Sequence, residues 1–243
     1  SCLRPKKVGS NNKMSMLKEE SSFKCFGGIQ KVFTCQSEKL KNEKRFCVYL
    51  PPKAILGQPC PVLYWLMGAT CDDQEFIMNS GMQKYASAKD MIVISVTPVP
   101  VPLNLKVDPT DAYNLSRFGF FTDCDQPPFN EHYHMHSFLI KELVPLIDAN
   151  FPIILNKRGI SGHSLGGHGS LVFGLTHPDI FLSISTMSAL CNPTSIPVGK
   201  KIFEMYFGSD QEKWKAYDAT CLLQNYKGPH RSILFDMVDD HFD

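Results

Sequence analysis

Short apolar runs alternating with segments of helical period constrain this chain more than any other feature. The runs are "KVFTC" (31–35), "RFCVYL" (45–50), "VLYWLM" (62–67), "MIVISV" (91–96), "RGIS" (158–161), "SISTMS" (183–188), "IFEMYFG" (202–208) and "SILFD" (232–236). Helical spacing marks Gln74 to Lys89, Ser137 to Asn150, Leu165 to Leu175 and Gln211 to Leu223. Parallel strands must be joined through crossovers, so the alternation predicts an α/β fold, a mostly parallel central sheet flanked by helices. A short polar link, "QSEKLKNEK", joins the first two runs and suits an antiparallel pair at the sheet edge. From Thr97 to Pro128 the proline-rich "TPVPVPLNLKVDPT" excludes helix and central strand. A long loop is expected there, on the side of the sheet where open α/β folds bind ligands.

The chain is long enough for one large core, and a single domain over residues 16–243 is expected, preceded by a polar tail over residues 1–15. That tail, "SCLRPKKVGSNNK", lacks the apolar core of a signal peptide, and a natural start at Met14 or Met16 is compatible with it. With 25 basic against 24 acidic residues nothing calls for nucleic acid or an anionic membrane. No apolar run approaches the roughly 20 residues that span a bilayer. The nine cysteines are scattered and form no C-x-x-C pair. That usage fits a reducing compartment rather than a disulfide framework, so a soluble cytoplasmic protein is expected.

Chemistry concentrates in "ISGHSLGGHGSL" (160–171), where Gly162-His163-Ser164-Leu165-Gly166 follows a strand and opens a helix. Strand, tight turn and helix are the setting in which a G-x-S-x-G serine becomes a nucleophile. Such a serine needs an imidazole to take its proton, a carboxylate to orient the imidazole, and N–H donors for the oxyanion. The residue after the serine, Leu165, supplies one donor, and Ala69 in the glycine-containing turn "WLMGATCDD" is the candidate for the second. Asp236, Asp239 and Asp240 follow the last apolar run and are candidate acids. Of the histidines after Ser164, His168 and His177 fall on the helix leaving the turn, His230 precedes the acid strand, and His241 adjoins Asp240. None is placed as a base. His132, His134 and His136 in "EHYHMH" alternate like a zinc set, but they lead straight into a helix, and no metal is expected.

Together these segments resemble the S-formylglutathione hydrolase (esterase D) family of the α/β-hydrolase fold. The likeness rests on "KCFGGIQKVF" (24–33), "VYLPPKA" (48–54), "LYWLMGATC" (63–71), "ANFP" (149–152), "GHSLGGHGSL" (162–171), "CNP" (191–193) and "KWKAYDAT" (213–220). It implies a serine thioesterase and carboxylesterase that splits S-formylglutathione into glutathione and formate, in formaldehyde detoxification. No cofactor is implied; the partner is a small thioester or ester, and a homodimer is expected. By resemblance Ser164 is the nucleophile, Leu165 and Ala69 the oxyanion donors, Asp240 the acid, and Cys71 a cysteine kept near the site, read either as a small buried hydrophobe or as a redox-sensitive thiol. The family's base, a histidine in a G-x-D-H-S segment beyond the acid, has no counterpart, and the fold's last strand and helix are expected to be missing with it. "TPVPVP" and "SRFGFF" stand where the family has other loop segments, and Val198 replaces a tryptophan. Gly159 and Ser161 make a weak strand before the serine. The alternative to an enzyme is a catalytically inactive truncated homologue, a pseudoenzyme or binding module.

Overall fold

The apolar runs resolve into strands β1 (Lys18–Cys25), β2 (Gly28–Ser37), β3 (Asn42–Leu50), β4 (Cys60–Leu66), β5 (Ile92–Val96), β6 (Ile153–His163), β7 (Ser183–Met187) and β8 (Ile233–Asp236). The computed structural model describes residues 17–69, 71, 73–98 and 119–237. The polar tail, most of the proline-rich loop, and Asp239, Asp240 and His241 lie outside the described residues. The strands form one sheet in the order β1-β2-β3-β5-β4-β6-β7-β8. β1, β2, β3 and β5 pair antiparallel, and β5, β4, β6, β7 and β8 pair parallel. The expected antiparallel pair is therefore present as β2 and β3, but β1 takes the edge outside it. β1 escapes the sequence reading because "KEESSFKC" is exposed along nearly its whole length, with no apolar alternation to mark it.

The helices are α1 (Pro52–Ile55), α2 (Asp73–Asn79), α3 (Met82–Ala88), α4 (Met135–Phe138), α5 (Val144–Asn150), α6 (Leu165–Thr176), α7 (Pro197–Phe207), α8 (Gln211–Lys215) and α9 (Ala219–Gln224). One face of the sheet packs Phe46, Val48, Tyr64, Leu66 and Ile94 against Phe138, Leu143 and Ile147 and against Leu171 and Phe173 of α6. The opposite face meets α2 and α3 through Val32, Cys47 and Ile77, and through Tyr49, Val93 and Ala86. Strand alternation puts Phe46 and Val48 on one side and Cys47 and Tyr49 on the other, so both layers are already encoded in one strand.

Several helical expectations change in detail. The span from Gln74 to Lys89 is two helices, broken at Gly81, which adopts φ 62. The helix at Ser137 begins at Met135 and runs to Asn150 through a π-helical turn at Leu139–Leu143. Gln211 to Leu223 divides where Asp218 caps α9 by accepting the Cys221 N–H at 3.0 Å.

The run 202–208 is not a strand but the greater part of α7. Ile202, Phe203, Tyr206 and Phe207 are its buried positions. They recur at i, i+1, i+4 and i+5, a helical stripe that dense aromatic and β-branched content disguises as a strand. Pro197 in its first turn pre-sets the helical φ.

α7 contributes to a second cluster with Phe120, Phe129, Tyr133, Leu165 and Trp214, against which Ala69 and Leu190 pack. That aromatic layer joins the N-terminal end of α6 to the segments around it. Among the described residues no helix is long and apolar enough to cross a membrane.

Candidate active site

Ser164 stands between β6 and α6 with φ 55 and ψ −118, a backbone conformation that a non-glycine residue holds only when its surroundings enforce it. Its N–H donates to the Met187 carbonyl at 2.9 Å, and its own carbonyl accepts the His168 N–H at 3.0 Å. The glycines on either side have a steric cause. A Cβ built on Gly166 would fall on the Leu66 carbonyl oxygen, and one on Gly162 would meet that oxygen at 2.7 Å and the Gly166 carbonyl closer still. The helix start can therefore approach the end of β4 only without side chains at these positions. β6 is stronger than the sequence suggests, extending from Ile153 to His163. Its Gly159 is not a packing fault, since a Cβ there would sit 2.8 Å from Ser183 Oγ.

The two expected oxyanion donors belong to the helix start and to the turn that adjoin Ser164. Leu165 opens α6, so its N–H has no carbonyl four residues earlier within the helix and stands at the positive end of the helix dipole. The turn after β4 passes over Ser164: a Cβ added to Gly68 would lie 3.3 Å from Ser164 Cβ and 3.3 Å from His163 Nδ1. Ala69 follows it, half-buried against the cluster that holds Leu165. Cys71, two residues further on, is half-buried.

The acid side is only partly described. In the sheet register His163 pairs with Met187 and Met187 pairs with Asp236, while the Ser188 N–H donates to the Asp236 carbonyl at 2.7 Å. Asp236 thus ends β8 level with the serine turn and two strands away, about 10 Å at the usual spacing between strands. Asp236 itself is exposed at the strand end, and Asp239 and Asp240 fall outside the described residues.

Among the described residues no histidine ring hydrogen-bonds the Ser164 hydroxyl. His163 is exposed beside it, and His230 is exposed ahead of β8. His177 Nδ1 pairs with Thr176 Oγ1 at 2.9 Å. The alternating histidines do not converge on a metal. His132 Nδ1 contacts the Leu40 carbonyl at 2.9 Å, His134 Nε2 contacts the Asn130 carbonyl at 2.8 Å, and His136 stacks on Phe173 with ring centroids 4.8 Å apart.

Burial pushes His136 and His168 down to about 4, against the neighbouring carboxylates Asp123 and Asp218, which oppose the shift. The folded state therefore resists protonating both rings, while the unfolded chain accepts protons near the ordinary value of 6.5. Their contribution to stability is intact above about pH 6.5 and is lost as pH falls toward 4. Urea unfolding is expected to show a loss on the order of a few kcal/mol between pH 7 and pH 4.5. If His136→Phe combined with His168→Phe left that slope unchanged, the assignment would be wrong.

Comparison with known proteins shows the family. The Esterase family model matches residues 37–241. The chain is 46% identical over 228 residues to the S-formylglutathione hydrolase of Rattus norvegicus, spanning 93% of this chain and 80% of the rat protein. For the Mus musculus enzyme of the same name the identity is 45% over the same shares. Among solved structures, an S-formylglutathione hydrolase from Agrobacterium tumefaciens superposes with a TM-score of 0.80 at 34% identity, covering 89% of this chain and 78% of that one.

Proposed function

Since the chain belongs to the S-formylglutathione hydrolase family, we propose that it hydrolyses S-formylglutathione to glutathione and formate. Ser164 Oγ attacks the formyl carbon, and the developing oxyanion is received by the N–H groups of Leu165 and Ala69. Collapse breaks the C–S bond, the sulfur leaves as the thiol with the proton given up by Ser164, and Ser164 is left formylated; water then releases formate and restores the hydroxyl. Asp240, beyond the end of β8, is the carboxylate assigned to orient the base. The observation that carries this reading is the φ 55 conformation of Ser164, which turns its side chain out between the start of α6 and the Gly68 turn. The choice of substrate is supported by the relatives, which are named for it. They give no support to a non-catalytic alternative. The cytoplasm suits such an enzyme and such a cysteine content.

In this reading Ser164 is the nucleophile and Leu165 and Ala69 the donors, and among the described residues no imidazole hydrogen-bonds the hydroxyl. The test is thiol release from S-formylglutathione beside bulkier acyl-glutathiones, together with labelling by a fluorophosphonate. Release above background, preferring formyl and lost in Ser164→Ala, is expected. Labelling of Ser164 with no preference for the formyl thioester would overturn the substrate; no labelling of Ser164 would overturn the nucleophile.

A further inference from the structure

His168 lies one helical turn after Ser164 and donates its backbone N–H to the Ser164 carbonyl at 3.0 Å. His168 is only 1% exposed, and among the described residues neither ring nitrogen has a partner in full hydrogen-bond geometry. One edge-to-face contact, with centroids 5.2 Å apart, sets it against Phe120, and Phe120 in turn packs edge-to-face on Phe203 of α7 at 5.2 Å. The Tyr217 backbone, within reach of a hydrogen bond, and the Asp218 carboxylate are the groups that act on the ring, each favouring a proton on it. Asp218 is fully buried and held in place, accepting from the Thr194 N–H at 3.0 Å, the Thr194 hydroxyl at 2.7 Å and the Cys221 N–H at 3.0 Å. It is the one charged group found acting on the His168 ring among the described residues.

A buried imidazole with two unpartnered nitrogens opposes folding, and an apolar side chain would fit the same aromatic surroundings at less cost. Unsatisfied polar groups kept beside a reacting atom are a recurring sign that stability has been given up for function. We propose that His168 is a positioning residue, a polar wedge between Phe120 and the Tyr217–Asp218 turn that fixes the first turn of α6 and so aims Ser164 and the Leu165 N–H. Phe120 belongs to the cluster that holds Leu165 and touches Ala69, so the wedge acts on both sides of the oxyanion site. The inference rests on Ser164 being the nucleophile.

The test compares His168→Phe and His168→Gln on the same chain, using p-nitrophenyl acetate hydrolysis, thermal unfolding and fluorophosphonate labelling of Ser164. His168→Phe removes the orphaned nitrogens and keeps the ring contact. It is expected to raise Tm by roughly 2–4 °C while lowering kcat by about 10- to 100-fold at unchanged KM. His168→Gln, which keeps a polar group facing Asp218, is expected to return kcat to within a few-fold. The proposal is overturned if His168→Phe leaves kcat unchanged, if Tm and kcat fall together as for an ordinary packing residue, or if His168→Gln is as defective as His168→Phe. Ester hydrolysis that Ser164→Ala does not reduce would instead defeat the nucleophile reading itself.

Discussion

Ser164→Ala is expected to abolish covalent labelling by a fluorophosphonate and to remove every part of the hydrolysis that passes through an acyl-enzyme. Where a complete triad is present, loss of its serine lowers kcat by about 10⁶. Among the described residues no other side chain stands where Ser164 does. Its N–H is bound to Met187, its carbonyl to His168, and its Cβ lies against the Gly68 turn. A nearby hydroxyl such as Ser170 cannot substitute, since it is fully buried and donates to the Gly167 and Ser185 carbonyls. Mass spectrometry of the labelled protein reads the result directly. An adduct of equal yield in the alanine variant, on any residue, would contradict the nucleophile assignment.

Gly166→Ala is expected to damage both stability and the site, although it adds only one methyl group outside the reacting atoms. That methyl group would occupy the position of the Leu66 carbonyl oxygen and crowd the Met67 carbonyl at 2.7 Å. Both clashing groups are backbone, and Leu66 pairs with Gly162 in the central register of the sheet, so neither can rotate away as a side chain would. Either α6 must lift from β4 or the Gly68 turn must shift, and each movement separates Ser164 from its donors. A loss of about 4 kcal/mol is expected in urea unfolding, with labelling of Ser164 slowed about 100-fold in whatever folded protein remains. A variant matching the parent in both measurements would show that the close approach is absent.

The residues that reveal the serine turn are local, which is why they are legible in the sequence. Gly162, Ser164 and Gly166 lie within five positions, and the strand before them and the helix after them have periods that a short window detects. The sheet's class is legible for the same reason: each apolar run reports its own burial. β1 is invisible because a polar edge strand owes its state to β2, with which it pairs from Lys18 to Cys25, and not to its own pattern. The stretch 202–208 misleads because aromatic residues on a helix stripe resemble a strand until their burial is known. Gly159 looks weak in isolation and becomes necessary only when Ser183 is brought beside it.

By itself, then, the sequence marked the candidate nucleophile, the α/β class and the family likeness, since all three reside in contiguous residues whose spacing carries the information. Tertiary structure alone decided how far the serine is supported. That Met187 anchors its N–H, that Leu66 demands a glycine at 166, and that Asp236 ends its strand level with His163 are facts of register between strands distant in the chain. His168 shows the difference most plainly. In sequence it is one histidine on a helix, whereas in the fold its ring is buried against Phe120 and acted on by Asp218, with no partner in full hydrogen-bond geometry among the described residues, because long-range packing and not local spacing determines which polar groups lose their water.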